Sequence, residues 1–160
     1  MRPDDIVDIP DADAMRAFGQ SMASHLRTGD VVLLHGELGA GKTTLTQGIA
    51  SGLGVKGPVQ SPTFSIVTEH EGKDSQGDVI RLYHLDLYRL GDPGDLETLG
   101  YDQYVEPVDA ISIIEWPERA GPWLPKQFWR LRITQSQGGG RRIEQSWHEP
   151  GPGPLRTSKE

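Results

Sequence analysis

A glycine-rich segment carries the clearest chemistry in the sequence. Residues 36–43, GELGAGKT, match the pattern G-x-x-x-x-G-K-[ST] at every fixed position. Glycines at this spacing let successive backbone N–H groups turn inward, which makes a nest for an anion. The ammonium of Lys42 can bridge two phosphates, the hydroxyl of Thr43 can hold Mg²⁺, and Thr44 is predicted to reach the α-phosphate. The segment therefore predicts a phosphate-binding loop (P-loop).

The segments on either side of this loop have the patterns of a strand and a helix. Residues 31–34, VVLL, form a continuous apolar run that is typical of a strand buried on both faces. After the loop, Leu45, Ile49 and Leu53 recur at helical spacing and predict a helix that begins near Lys42. The positive end of that helix points at the loop, which favours an anion there.

Glu115 is the first candidate for an acid that holds the metal. It follows the apolar run AISII at residues 110–114, at the C-terminal end of a predicted buried strand. Ligands bind at that end of the strands in open α/β sheets. Proteins with a P-loop hold Mg²⁺ with the help of an acidic residue. Asp109 precedes the strand at its opposite end, so we expect Glu115 to be the functional acid.

A second group of polar residues lies within residues 83–89, YHLDLYR. Successive side chains of an extended chain alternate, so His84, Asp86 and Tyr88 are predicted to face one side. Asp86 is a candidate for ordering the water shell of the metal or the attacking water, and Arg89 for offsetting phosphate charge. The alternative is an ordinary polar strand face with a satisfied histidine, which composition alone favours.

Residues 60–64, QSPTF, form a turn-rich connection after the predicted second helix. A threonine in such a loop, here Thr63, can sense a γ-phosphate through Mg²⁺ and act as a switch. Local chemistry alone favours the alternative, a Ser-Pro turn that starts a strand.

Length and composition exclude several classes of protein and of site. The 160 residues fit one domain, which we expect at residues 1–148, followed by a disordered Pro/Gly-rich tail at residues 149–160. Cysteine is absent, which excludes disulfides and thiolate metal sites, and asparagine is absent, which excludes the NKxD motif by which GTPases read guanine. No apolar run is long enough for a membrane span or a signal peptide, so we expect a cytoplasmic protein without a membrane partner.

The net charge of −7 is distributed unevenly along the chain. Residues 1–125 hold 9 basic and 20 acidic groups, a balance of −11, whereas residues 126–160 hold 7 and 3, a balance of +4. The acidic residues 1–125 would repel a phosphate backbone, so this chain is not expected to bind nucleic acid by itself.

The remaining patterns predict an α/β protein. Met15, Phe18, Met22 and Leu26 mark one apolar face of a first helix that opens at Pro10 and Asp11 and is closed by Gly29. A hairpin is predicted from strands at 64–70 and 79–87, a short helix after residue 92, and further strands at 6–9, 128–134 and 141–148. Strands that alternate with helices early and form hairpins late indicate a mixed sheet with a parallel centre and antiparallel edges.

Four motifs together resemble one family. The segments GELGAGKTT, SPTF, HLDLYRL and IIEW follow one another in the order and spacing of the TsaE (YjeE) family, over residues 6–147. The resemblance implies a three-layer P-loop NTPase fold and an Mg²⁺-dependent ATPase, weak alone and stimulated by partners, that is required for threonylcarbamoyladenosine (t6A37) modification of tRNA. It implies docking on the TsaD–TsaB complex, with TsaC supplying the threonylcarbamoyl-adenylate, and ATP hydrolysis that resets the complex between turnovers. tRNA would be reached only indirectly, through the complex.

The resemblance also implies site residues. Its catalytic set is Lys42, Asp86 and Glu115, its metal ligands are Thr43 and Glu115, and its nucleotide-binding residues are Gly39, Ala40, Gly41, Lys42, Thr43, Thr44, Trp116 and Arg141. Two positions depart from the family pattern. Met15 stands where many members have a threonine near the base, and Arg142 competes with Arg141 for the late Gly-Arg element.

Two other functions share the P-loop. A small-molecule kinase would need an acceptor pocket and an arginine-rich lid, and a nucleotide-dependent adaptor would use ATP only to stabilise a binding surface. The paired arginines at 141 and 142 are the single Arg-Arg pair in the chain, and no long lid segment is evident.

Overall fold

A computed structural model describes residues 5–59, 66–74 and 76–150. These residues contain seven strands in one sheet, four α-helices and one 3₁₀ helix at Pro117–Ala120. The strands are β1 (Ile6–Ile9), β2 (Val31–His35), β3 (Val67–Lys73), β4 (Val79–Asp86), β5 (Ala110–Glu115), β6 (Phe128–Gln135) and β7 (Arg141–His148). The α-helices are α1 (Ala12–Ala23), α2 (Lys42–Gly52), α3 (Asp95–Thr98) and α4 (Asp102–Val105).

The sheet is parallel at its centre and antiparallel at both edges, as the sequence predicts. Its order is β1-β7-β6-β2-β5-β4-β3. Strands β6, β2, β5 and β4 run parallel, whereas β1, β7 and β3 pair antiparallel with their neighbours. The C-terminal ends of β2, β5 and β4 therefore meet at one edge of the sheet, with Glu115 paired in register with both Leu34 and Asp86.

Side chains of the central strands alternate between two cores. Val32 and Leu34 of β2 face α1 and α2, while Val31 and Leu33 face the layer that contains α3 and α4. All four are at most 1% exposed, which agrees with a strand buried on both faces. The sheet thus lies between two layers, and the P-loop helix belongs to the first of them.

Helix α1 begins as predicted but ends earlier. The carboxylate of Asp11 accepts a hydrogen bond of 2.8 Å from the amide of Ala14, which caps the helix. The helix ends at Ala23, because the Ser24 hydroxyl bonds back to the carbonyl of Ser21 and the chain continues in turns toward Gly29. Leu26 still packs in the core, from these turns rather than from the helix.

The predicted hairpins are present with small changes at their ends. Strand β3 begins at Val67, and the preceding predicted residues 64 and 65 lie outside the described residues, as does the whole QSPTF segment at 60–64. Strand β4 ends at Asp86, and the amide of Leu87 then donates to the carbonyl of Glu115 over 3.1 Å. Of the expected C-terminal tail, residues 151–160 also lie outside the described part. No helix in the described ranges is long and apolar enough to cross a membrane.

Glycines let α1 and α2 approach closely. A Cβ built on Gly48 of α2 would lie 2.4 Å from the carbonyl oxygen of Arg16, and one on Gly19 of α1 would lie 2.7 Å from that of Leu45. Both obstacles are backbone atoms, which cannot rotate away. The contact anchors α2, and with it the P-loop, against α1.

Replacement of Gly48 by alanine is expected to lower the free energy of unfolding by roughly 1–3 kcal/mol, because the added methyl overpacks the helix contact. Urea unfolding measures the change. Gly91→Ala is the matched control, since a Cβ there meets no atom within 4 Å and the backbone φ is not positive. A Gly48→Ala protein as stable as the wild type would show that the helices do not depend on this close approach.

Candidate functional site

The P-loop joins the end of β2 to the start of α2. Gly39 and Gly41 have φ angles of +80° and +115°, in the left-handed region that glycine adopts without strain. A Cβ on Gly41 would also lie 2.9 Å from Cε of Met15, whereas one on Gly39 would meet no atom within 4 Å. The loop therefore has the backbone that an anion nest requires, with α1 packed behind it and open space in front.

A cavity of about 400 Å³ lies in front of the loop. The loop and the first turn of α2 form one wall, and the ends of β4 and β5 form the other. The lining residues are Leu38, Gly39, Gly41, Lys42, Thr43, Thr44, Asp86, Tyr88, Glu115 and Trp116. One cavity therefore collects residues from three separate sequence motifs.

Lys42 is a nearly buried ammonium, with 5% of the residue exposed. Its Nζ donates to the carbonyl oxygens of Gly36 and Glu37, and it lies 3.9 Å from the centroid of the Trp116 ring. Burial lowers the pKa of Lys42, and the negative charge of Glu115 is the largest opposing effect. A cation held this way is poised to bind an anion at the mouth of the loop.

Trp116 is held in an unusual backbone conformation. Its φ of +57° is rare for a residue with a large side chain, and such strain persists only where the surroundings enforce it. The Tyr88 ring lies 4.9 Å from the Trp116 ring, centroid to centroid, and Pro117 begins the 3₁₀ helix directly afterwards. The tight turn places the indole against Lys42 at the cavity wall.

The two acids of the site are adjacent in register but differ in environment. Glu115 is 2% exposed, and its Oε2 lies 2.6 Å from Nε2 of His84, which is fully buried. The side chain of Asp86 accepts a hydrogen bond of 3.0 Å from the amide of Tyr88. Burial raises the pKa of Asp86, while that hydrogen bond opposes the rise. Both acids reach the cavity on the face of the sheet that carries α2.

The structure distinguishes the two neighbouring arginines. Arg141 donates from Nε to the carbonyl of Ala40 over 3.0 Å and from a terminal nitrogen to that of Gly39 over 3.3 Å. Arg142 points away and pairs with Asp8 over 3.2 Å on the surface. Arg141 also lines a second cavity of about 220 Å³ beside the loop, together with Met15 and Thr44.

Comparison with known proteins assigns the family. The family model described as "Threonylcarbamoyl adenosine biosynthesis protein TsaE" matches residues 9–143. The chain belongs to the TsaE family.

Individual relatives agree with this assignment. The tRNA threonylcarbamoyladenosine biosynthesis protein TsaE of Synechocystis sp. is 47% identical over 123 residues, which cover 74% of this chain and 73% of the relative. The protein of the same name from Streptomyces coelicolor is 46% identical over 125 residues, covering 78% and 81%. The crystal structure of Bacillus subtilis YdiB superposes with a TM-score of 0.70 at 28% identity, covering 91% of this chain and 87% of YdiB.

For this TsaE-family chain, the residues predicted from sequence fall into three groups. The cavity brings together Gly39, Gly41, Lys42, Thr43, Thr44, Asp86, Glu115 and Trp116. Ala40 is a buried residue of the loop itself, and Arg141 donates to the carbonyl oxygens of Ala40 and Gly39. Arg89 is exposed and does not line the cavity, Asp109 lies at the far end of β5, and Thr63 lies outside the described residues.

The donor set suits a hard divalent cation that shares its coordination with phosphate. Thr43, Asp86 and Glu115 offer only oxygen atoms, which Mg²⁺ prefers. Within residues 5–59, 66–74 and 76–150, no three His, Asp or Glu side chains form a metal site of their own. Mg²⁺ in P-loop proteins is typically held by one or two protein groups together with the phosphates, which this arrangement matches.

A histidine to which the sequence assigns no role, because it shows no ligand spacing, lies directly before the loop. Nε2 of His35 accepts a hydrogen bond of 3.1 Å from Nε of Arg130, and Nδ1 lies 3.4 Å from a carboxylate oxygen of Glu118. Because arginine only donates, the ring proton is assigned to Nδ1, facing Glu118. His35 thus links β6, the start of the P-loop and the 3₁₀ helix that follows Trp116.

The His35 environment predicts a pH dependence of stability. Burial, followed by the charge of Arg130, lowers the pKa of His35 from 6.5 to about 4. The unfolded chain therefore takes up a proton as the pH falls below about 7, while the folded chain does so only near pH 4. A shift of this size corresponds to at most about 3 kcal/mol of unfolding free energy over this window, and because the ring is partly exposed, solvent screening reduces the expected fall to about 2 kcal/mol.

Urea unfolding between pH 7 and pH 4.5 tests this expectation. Relative to His35→Gln, the wild type should lose stability more steeply as the pH falls. His25→Gln, at an exposed histidine, is the control and should follow the wild-type curve. Parallel curves for the wild type and His35→Gln would contradict the assignment of a neutral His35.

Proposed function

We propose that this chain is the ATP-binding and ATP-hydrolysing component required for t6A37 modification of tRNA. The observation that carries the proposal is the single cavity in which Lys42, Thr43, Asp86 and Glu115 meet, in a chain of the TsaE family. The names of these relatives state a role in tRNA threonylcarbamoyladenosine biosynthesis. The P-loop supplies the nucleotide chemistry that such a role would use.

Different residues of the cavity would contact different parts of the nucleotide. The backbone amides of residues 39–44 would cradle the phosphates, and the Lys42 ammonium would exchange its carbonyl partners for phosphate oxygens. Arg141 would stabilise the conformation of the loop by donating hydrogen bonds to two of its carbonyl oxygens. Trp116 would lie close to the nucleotide, since its indole already packs on the Lys42 ammonium.

Thr43 and Glu115 would hold Mg²⁺, with Asp86 beside them. When bound, the metal neutralises charge on the phosphates during transfer. Asp86 would orient the attacking water, because its carboxylate is on the cavity wall and stands in register with Glu115. Lys42, Asp86 and Glu115 are therefore the proposed catalytic residues, in a weak Mg²⁺-dependent ATPase that partners stimulate.

The proposed partners are TsaD and TsaB, with TsaC providing the threonylcarbamoyl-adenylate. ATP hydrolysis would reset the TsaD–TsaB complex between turnovers. The balance of −11 over residues 1–125 supports indirect contact with tRNA, since an acidic surface repels a phosphate backbone. We place this activity in the cytoplasm and in a single domain at residues 1–148.

Replacement of Asp86 by asparagine tests hydrolysis apart from binding. The variant should bind Mg·ATP but release phosphate at least about 100-fold more slowly in the presence of TsaD and TsaB, because the neutral amide orients the attacking water less well than the charged carboxylate. Phosphate release and t6A formation over repeated turnovers are the measurements. Asp109→Asn, at the opposite end of β5, is the matched control and should behave like the wild type.

Other outcomes identify the competing functions. An adaptor that uses ATP only to stabilise a surface would keep t6A formation in Asp86→Asn. A small-molecule kinase would transfer the phosphate to an added metabolite without releasing it. Wild-type protein whose turnover is unchanged by TsaD and TsaB would contradict the proposed partnership.

A further inference from the structure

His84 and Glu115 form the most deeply buried polar pair of the site. His84 is fully buried and Glu115 is 2% exposed, and Nε2 and Oε2 are 2.6 Å apart. The residues are 31 positions apart in the chain and come from neighbouring strands, β4 and β5. A buried carboxylate requires a hydrogen-bond donor, and the imidazole of His84 on the neighbouring strand supplies one.

Parallel register explains why His84 and Asp86, two residues apart on β4, both lie beside Glu115. Asp86 stands opposite Glu115, while His84 stands opposite Ile113, two positions earlier on the same face. The imidazole reaches diagonally to the inner side of Glu115, and Asp86 lines the cavity beside it. A spacing of two is the one that puts both side chains on the same side of β4.

The other ring nitrogen defines the tautomer. Nδ1 of His84 is buried and has no hydrogen-bond partner among the residues that the structure describes. A proton on Nδ1 would leave a buried donor unpaired, so we assign the ring proton to Nε2, where it is donated to Glu115. In this form His84 is a fixed donor to Oε2 and makes no other polar contact within the described part of the chain.

We propose that His84 is a positioning residue, which fixes the Glu115 carboxylate in the orientation that holds Mg²⁺ or its water shell. The proposal rests on the proposed function, because it assigns His84 to the metal side of the ATP site. Hydrogen-bonding partners of metal ligands orient those ligands, and their loss typically lowers metal affinity 10- to 100-fold. His84 itself touches neither nucleotide nor metal.

Two amide substitutions at His84 distinguish a role in positioning Glu115 from a role in filling space. In His84→Gln the side-chain amide can occupy the place of Nε2 and keep the donor to Glu115. In His84→Asn the shorter amide corresponds to Nδ1, and the donor is lost. His70→Gln is the matched control, since His70 lies on the adjacent strand β3 and its ring contacts Thr68 rather than Glu115.

The main readout is the Kd of Mn²⁺ for the protein·ADP complex, measured by electron paramagnetic resonance. His84→Asn should raise this Kd by roughly 10- to 100-fold, while His84→Gln and His70→Gln stay within a few-fold of the wild type. The ADP affinity of all variants in EDTA should remain close to that of the wild type. Thermal unfolding of each variant reports any general loss of structure.

A double-mutant cycle with Glu115→Gln tests whether His84 acts through Glu115. If His84→Asn folds poorly, the single variant His84→Gln still tests the proposal, because a loss of Mn²⁺ affinity although the donor is kept would contradict it. Positioning through Glu115 predicts that His84→Gln and His84→Asn have equal Mn²⁺ affinities in the Glu115→Gln background. A merely structural histidine would instead weaken ADP binding in EDTA as much as Mn²⁺ binding, and glutamine would not rescue it. That result, or unchanged Mn²⁺ affinity in His84→Asn, overturns the proposal. Wild-type protein that binds ADP but no Mn²⁺ would overturn the metal role of the proposed function as well.

Discussion

The site depends on holding the Lys42 ammonium at a loop of converging backbone amides. A buried cation is costly unless it is paired. Here the P-loop carbonyls, the Trp116 ring and the nearby Glu115 charge share that task. An incoming phosphate adds a full negative charge, which the carbonyls and the ring do not supply. The left-handed glycines, the Trp116 turn and the packing of α1 behind the loop all serve to keep this arrangement in place.

Parallel strand register brings the acids to that cation. Because β2, β5 and β4 end at one edge, the P-loop, Glu115 and Asp86 become neighbours without direct sequence proximity. At the same edge His84 of β4 contacts Glu115, and His35, the last residue of β2, contacts Arg130 of β6. The chemistry of the site is therefore supported from behind by two histidines with different partners. One contacts an acid of the cavity, and the other links the loop to the segment after Trp116.

Local patterns made much of this architecture predictable. The P-loop, the buried strands and the position of Glu115 follow from glycine spacing and apolar runs within short segments. The His84–Glu115 pair does not, because it depends on the register between two strands whose residues are 31 apart. The roles of Arg141 and Arg142 are equally hidden, since adjacent strand residues face opposite sides and only the packing of β7 decides which meets the loop. The early end of α1 reflects a serine hydroxyl that competes with helical bonding.

Isothermal titration calorimetry of Mg·ATP into the folded protein measures whether the P-loop binds the nucleotide through Lys42. We expect saturable binding at one site per chain, at least tenfold weaker in Lys42→Ala and unchanged in Lys73→Ala, an exposed lysine at the end of β3. The cause would be the loss of the one ammonium that meets the phosphates at the mouth of the loop. Folded wild-type protein that fails to bind Mg·ATP, or a Lys42→Ala variant that binds it as tightly as the wild type, would show that this loop is not the nucleotide site.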